Sequence, residues 1–90
     1  MDIQQRALAG TLESSDCMVV VVPDTRLSIE IDSIVQKQFG KHIYQLVSDM
    51  LKVAGVTSGS FKIKDQGALD CVIEARVETV LRRAAKKVSA

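Results

Sequence analysis

The sequence has no tryptophan, one tyrosine, two phenylalanines, two cysteines, one histidine and one proline among its 90 residues, and each scarcity excludes something. Phe39, Tyr44 and Phe61 are the only large rings, and twelve Lys plus Arg nearly cancel eleven Asp plus Glu. The chain therefore lacks both the stacking platform and the basic stripe of a nucleic-acid binder. Cys17 and Cys71 stand far apart, outside any Cys-x-x-Cys or Cys/His pattern, and both read as buried free thiols. His42 has no second histidine three or four residues away, and one imidazole cannot make a metal site by itself. No apolar run approaches the roughly 18 residues of a membrane span, and the stretch from Met1 to Arg6 is too polar to begin a signal peptide. The expectation is a soluble, cytoplasmic chain with neither nucleic acid nor membrane as partner. Its length suits one domain, 1–90, and a chain of this size buries only roughly 60% of its unfolded surface, which leaves little interior for a deep active site.

Catalytic machinery is equally scarce. Gly-x-Ser-x-Gly, Gly-x-x-x-x-Gly-Lys-Ser and His-Glu-x-x-His are all missing. The paired carboxylates, Glu30 with Asp32 and Glu74 with Glu78, fall on faces that the hydrophobic pattern leaves to solvent.

What is present is a clear alternation of periods. Ala7 to Leu12 is a short strand candidate, and Cys17 to Val22 is an unbroken, β-branched apolar run that suits a strand covered on both faces at the centre of a sheet. Pro23 and Asp24 end it. Leu27, Ile29 and Ile31 then alternate with Ser28, Glu30 and Asp32, the pattern of a strand with one wet face. At Ser33 the period changes. Ser33 with Gln36 fits a capping box, and Val35, Phe39, Ile43, Leu46, Val47, Met50 and Ala54 form a helical stripe that Gly55 stops. Phe61 and Ile63 mark a further strand whose Lys62 and Lys64 would guard an exposed edge. After Asp65-Gln66-Gly67, Leu69, Val72, Ile73, Val80, Leu81 and Ala84 predict a second helix, with Arg82, Arg83, Lys86 and Lys87 at its negative end. The order β-β-β-α-β-α points to an α+β, two-layer sandwich, a four-stranded sheet with both helices on one face.

The sharpest polar interruption is Gly10-Thr11-Leu12-Glu13-Ser14-Ser15-Asp16, a turn between two strand-like runs. Ala9 to Asp16, together with Val35 to Gly40 and with Gly67-Ala68-Leu69-Asp70-Cys71 leading to Ala75-Arg76, resembles the acyl carrier (gamma) subunit of bacterial citrate lyase, from about Ile3 to Leu81. The resemblance implies a non-catalytic carrier whose serine, at the position of Ser14, holds a 2'-(5''-phosphoribosyl)-3'-dephospho-CoA arm (phosphoribosyl-dephospho-coenzyme A) through a phosphodiester. It implies as partners the citrate lyase alpha subunit (acyl transferase), the beta subunit (citryl lyase) and a prosthetic-group transferase, with acetyl and citryl thioesters as cargo. The family often has glycine after the modified serine; Ser15 departs from this and sets a second hydroxyl beside the first. The start of the second helix could bind an anion through free N–H groups, but a structural role is the simpler reading, in which Gly67 turns the chain, Leu69 packs and Asp70 favours the positive helix end. A malonate decarboxylase acyl carrier resembles the same family, and Gly67 to Cys71 favours citrate lyase over it. A small-molecule-binding regulatory module or a structural adaptor are the readings from other classes. An exposed Ser14 Oγ is what the carrier reading requires.

Overall fold

A computed structural model describes residues 1–85. The elements are β1 (Ala7–Gly10), β2 (Cys17–Val22), β3 (Leu27–Ser33), α1 (Gln36–Val53), β4 (Gly59–Asp65) and α2 (Asp70–Ala85), so the α+β order read from the sequence holds. The sheet order is β1-β2-β4-β3, with β2 antiparallel to β1 and β4, and β3 parallel to β4 across the α1 crossover. One face of the sheet, Ala7, Ala9, Cys17, Val19, Val21, Phe61 and Ile63, packs against Ile43, Val47 and Leu51 of α1 and Ile73, Val77, Val80 and Leu81 of α2. Side chains alternate along a strand, so this packing gives each strand one dry and one wet face.

Three expectations change here. β2 is covered on one face only, because both helices take the same side; its apolar run pairs between two strands while Met18, Val20 and Val22 face the open side. Lys62 and Lys64 do not guard an edge. β4 is an inner strand, and these lysines lie on the open face opposite Glu30 and Asp32, with Lys62 Nζ 3.8 Å from Glu30 Oε2. The helical stripes also shift at their first turns. Phe39 and Leu69 stay 48% and 71% exposed, whereas Leu51 and Val77, absent from the sequence-read stripes, are buried. Lys86 and Lys87 lie outside the described residues.

Local chemistry explains the boundaries. The capping box read at Ser33 is not the cap of α1, which starts from Val35 without a side-chain cap; Gln36 Oε1 does accept from Ser33 N at 3.0 Å, while Ser33 Oγ accepts from Val35 N at 3.1 Å and donates to Asp65 Oδ2 at 2.7 Å. Asp65, 1% exposed, also accepts from Ala68 N at 2.9 Å, so one buried carboxylate ties the ends of β3 and β4 to the approach of α2. Helix α1 ends in a Schellman motif. Gly55 takes φ 74, its N–H meets Lys52 O at 3.1 Å, and buried Val56 donates from its N–H to Leu51 O at 2.9 Å.

Candidate functional site

The β1–β2 corner is built by one carboxylate. Asp16 precedes the buried run of β2, and its Oδ1 accepts from Cys17 N at 2.7 Å while its Oδ2 accepts from Thr11 Oγ1 at 2.6 Å. Arg76, projecting from α2 sixty residues away, grips the same carboxylate with two bonds, Nε to Oδ1 at 3.0 Å and Nη2 to Oδ2 at 2.8 Å. Planar guanidinium against planar carboxylate fixes orientation as well as distance. Those donors, Arg76 first and then Thr11, hold the Asp16 carboxyl well below the usual carboxylate range, and the Arg76 guanidinium is raised in turn.

Two further constraints place the corner against the sheet end. Ser15 N donates to Gln66 O at 2.9 Å, and Gln66 N donates to Asp16 O at 2.9 Å, so the loop is stitched to the β4–α2 connection. Gly10 adopts φ 98, and a Cβ there would stand 1.9 Å from the Cys17 carbonyl oxygen, which makes glycine a requirement of the hairpin.

Within this frame Glu13 to Asp16 form a tight turn closed by Asp16 N to Glu13 O at 3.2 Å. Only its second central residue, Ser15, has positive φ, at 65. The left-handed conformation that glycine would permit is thus adopted by serine itself. Ser14, the first central residue, is exposed at the tip. The side-chain hydrogen bonds of the loop are made by Thr11 and Asp16, and Ser14 Oγ takes no part in them. An exposed, unengaged hydroxyl on a rigidly held turn cannot activate itself as a nucleophile, since no base among the described residues touches it; it can be acted upon by another protein.

The remaining singled-out residues fall elsewhere. Cys17 is buried beneath the corner, and burial above all, with Asp16 nearby, pushes its thiol up to about 11, so it is inert at neutral pH. Cys71 is exposed, not buried, because it lies in the first turn of α2 where Leu69 also faces out. His42 is exposed on α1. Its Nε2 lies 2.8 Å from Asp70 Oδ2, joining α1 to the start of α2. Among the described residues no group of three or more His, Cys, Asp or Glu could hold a metal ion, and no helix is long and apolar enough to cross a membrane. No spacing in the sequence points to the Asp16–Arg76 clamp; Arg76 stands three residues after Ile73 and four before Val80, half-buried at the margin of the apolar stripe of α2.

Comparison with known proteins follows the same outline. Residues 4–84 match the family described as "Malonate decarboxylase delta subunit (MdcD)". The citrate lyase acyl carrier protein of Clostridium perfringens is 50% identical over 88 residues, covering 96% of this chain and 87% of that one. The protein of the same name from Treponema denticola is 45% identical over 87 residues, covering 97% of this chain and all of that one. Among solved structures, a chain of a Pseudomonas malonate decarboxylase hetero-tetramer in complex with malonate superposes with a TM-score of 0.79 at 25% identity, over 92% of this chain and 87% of that one.

Proposed function

The chain belongs to the citrate lyase acyl carrier protein family, whose members are non-catalytic carrier subunits, and from that premise we propose that Ser14 Oγ is the atom to which its prosthetic arm is joined. The arm is phosphoribosyl-dephospho-coenzyme A linked through a phosphodiester, and the partners are the alpha (acyl transferase) and beta (citryl lyase) subunits of citrate lyase together with the transferase that attaches the arm. Residues 1–90 act as one carrier domain. When bound, the arm supplies a terminal thiol that holds acetyl or citryl as a thioester.

The observation that carries this reading is an exposed Ser14 Oγ, without a hydrogen-bond partner among the described residues, on a turn closed by Asp16 N to Glu13 O and held just after Ser14 by Ser15–Gln66 and Asp16–Arg76. A tether suits such a residue. The hydroxyl is open to a transferase, no buried polar partner is lost when its proton is replaced by phosphorus, and the rigid corner sets where the arm leaves the protein. The carrier contributes proximity, because a tethered acyl group meets both partner active sites at high effective concentration. The malonate decarboxylase carrier is the second reading, favoured by the name of the matching family and by the fold neighbour; identity of 50% to a citrate lyase carrier against 25% to the malonate decarboxylase chain supports the first.

The test is intact mass and peptide mapping of the chain produced together with its transferase. The expected result is one added group, located on the peptide at Ser14 and absent from Ser14→Ala. A chain that carries no added group under those conditions, or carries it on another residue, overturns the assignment.

A further inference from the structure

Between the start of α1 and the segment leading into α2 lies a groove of about 610 Å³, lined by Val35, Phe39 and Ile43 on one side and Ala68, Leu69 and Asp70 on the other. We propose that this groove receives the adenine ring of the arm borne on Ser14, an inference that rests on the attachment proposed above.

Four observations converge on it. The β4–α2 connection links the groove to the attachment corner: Gln66 bonds to Ser15 and Asp16, and Gly67, the next residue, lines the groove. Its size falls within the range of small-molecule sites. Phe39 and Leu69 are large apolar side chains left 48% and 71% exposed in a chain with only two phenylalanines, and an aromatic face with an aliphatic neighbour is what a flat base stacks on. The polar wall selects the part of the arm. The polar lining is His42, Asp65 and Asp70, with no lysine or arginine among the described residues; Asp65 is occupied by Ser33 and Ala68, and the Asp70 carboxylate repels the diphosphate of the arm but can accept from the exocyclic amino group of adenine. Asp70 Oδ2 is taken by His42 Nε2 at 2.8 Å, which fixes the carboxylate and leaves Oδ1 for other donors.

The order of groups in the arm agrees. The phosphoribosyl unit separates Ser14 from the adenosine 2' position, so adenine is the first flat, weakly polar group after the attachment point, and the pantetheine thiol lies beyond it. Tethering raises the local concentration of the base at the groove, so a weak site suffices. Seating the base there would anchor the nucleotide half of the arm and leave only the thiol half to swing between partner subunits.

The experiment uses the arm-bearing chain. Nuclear Overhauser contacts are expected between adenine ring protons and the Phe39 ring, with amide shifts at Phe39, His42, Leu69 and Cys71 relative to the arm-free chain. Phe39→Ala and Leu69→Gln, both at exposed positions and compatible with folding, should abolish the contacts while the added mass on Ser14 is unchanged; Phe39→Tyr should retain them. An added mass on Ser14 with no adenine contacts in the groove overturns this inference and leaves the attachment standing. Absence of any added mass on Ser14 overturns the attachment, and the groove assignment with it.

Discussion

Strand β2 is flanked by two exposed polar corners, each with an exposed hydroxyl side chain, and only one of them is braced from α2. At the Pro23–Arg26 corner Asp24 Oδ1 accepts from its own neighbour Thr25 N at 2.7 Å, and the main longer tie is Gly59 N to Arg26 O at 2.9 Å. At the Thr11–Asp16 corner the turn is bound by a bidentate arginine from α2 and by two main-chain bonds to Gln66. Thr25 and Ser14 are alike in exposure. They differ in how firmly the rest of the molecule dictates where the oxygen stands, and the proposed attachment at Ser14 draws on that difference.

The largest effect that separates the corners is all-or-none. Ser14→Ala should carry no arm when produced with the transferase, while its stability in urea unfolding changes by less than about 0.5 kcal/mol, because the side chain is exposed and has no hydrogen-bond partner among the described residues. Thr25→Ser, which offers a similar exposed hydroxyl at the loosely held corner, should gain no second group by intact mass. A second group mapped to position 25 of that variant would show that bracing is not what distinguishes the two turns. Next in size is Gly10→Ala. A positive φ of 98 costs a non-glycine residue about 1–3 kcal/mol, and overlap of the new Cβ with the Cys17 carbonyl adds to it, so a loss of about 3 kcal/mol or more is expected in urea unfolding.

Arg76→Met removes the brace itself and should lower the urea midpoint at neutral pH by less than Gly10→Ala does. The pH dependence gives a sharper reading. The folded chain holds Asp16 below its ordinary value of 3.8, so in acid the unfolded chain binds the proton more readily and stability rises with pH. The contribution is complete above about pH 5 and is lost as pH falls through the carboxylate range and below. Urea midpoints from pH 7 down to pH 2 should therefore fall steeply for the wild type and less steeply for Arg76→Met. Equal slopes would mean that Asp16 is not the group that couples this corner to acid.

How much of this was legible in the sequence follows from what a pattern can encode. Period two over Leu27 to Asp32 and the helical spacing after Ser33 reveal elements and faces, because those depend on neighbours along the chain. Gly55 announced its helix end for the same reason, and the exposed turn at Ser14 was readable from the polar cluster between two apolar runs. The insertion of β4 between β2 and β3 was not, since Val19 and Ile63 meet from opposite halves of the chain and alternation names a face, never a neighbour. Helical spacing places Phe39 and Leu69 on the apolar stripes, but a stripe counts spacing and cannot tell that both stand at the rim of an open groove. The Asp16–Arg76 pair lies outside what periodicity expresses, because its partners stand sixty residues apart on different elements.

The smallest effect tests the one departure from the family pattern, the serine that follows Ser14. Ser15 sits at φ 65, where a side chain costs about 1–2 kcal/mol that glycine avoids, while glycine gives back roughly 0.5–1 kcal/mol through the freer unfolded chain. Ser15→Gly should therefore raise stability by up to about 1 kcal/mol in urea unfolding. Because the Ser15 contribution to the corner is its main-chain bond to Gln66, which glycine keeps, the arm should still load onto Ser14 in full. Loss of the added mass in Ser15→Gly, with Ser14 intact, would move the attachment one residue along the turn. A fall in stability would mean instead that the Ser15 side chain holds the corner together, and that the braced frame extends to the tip.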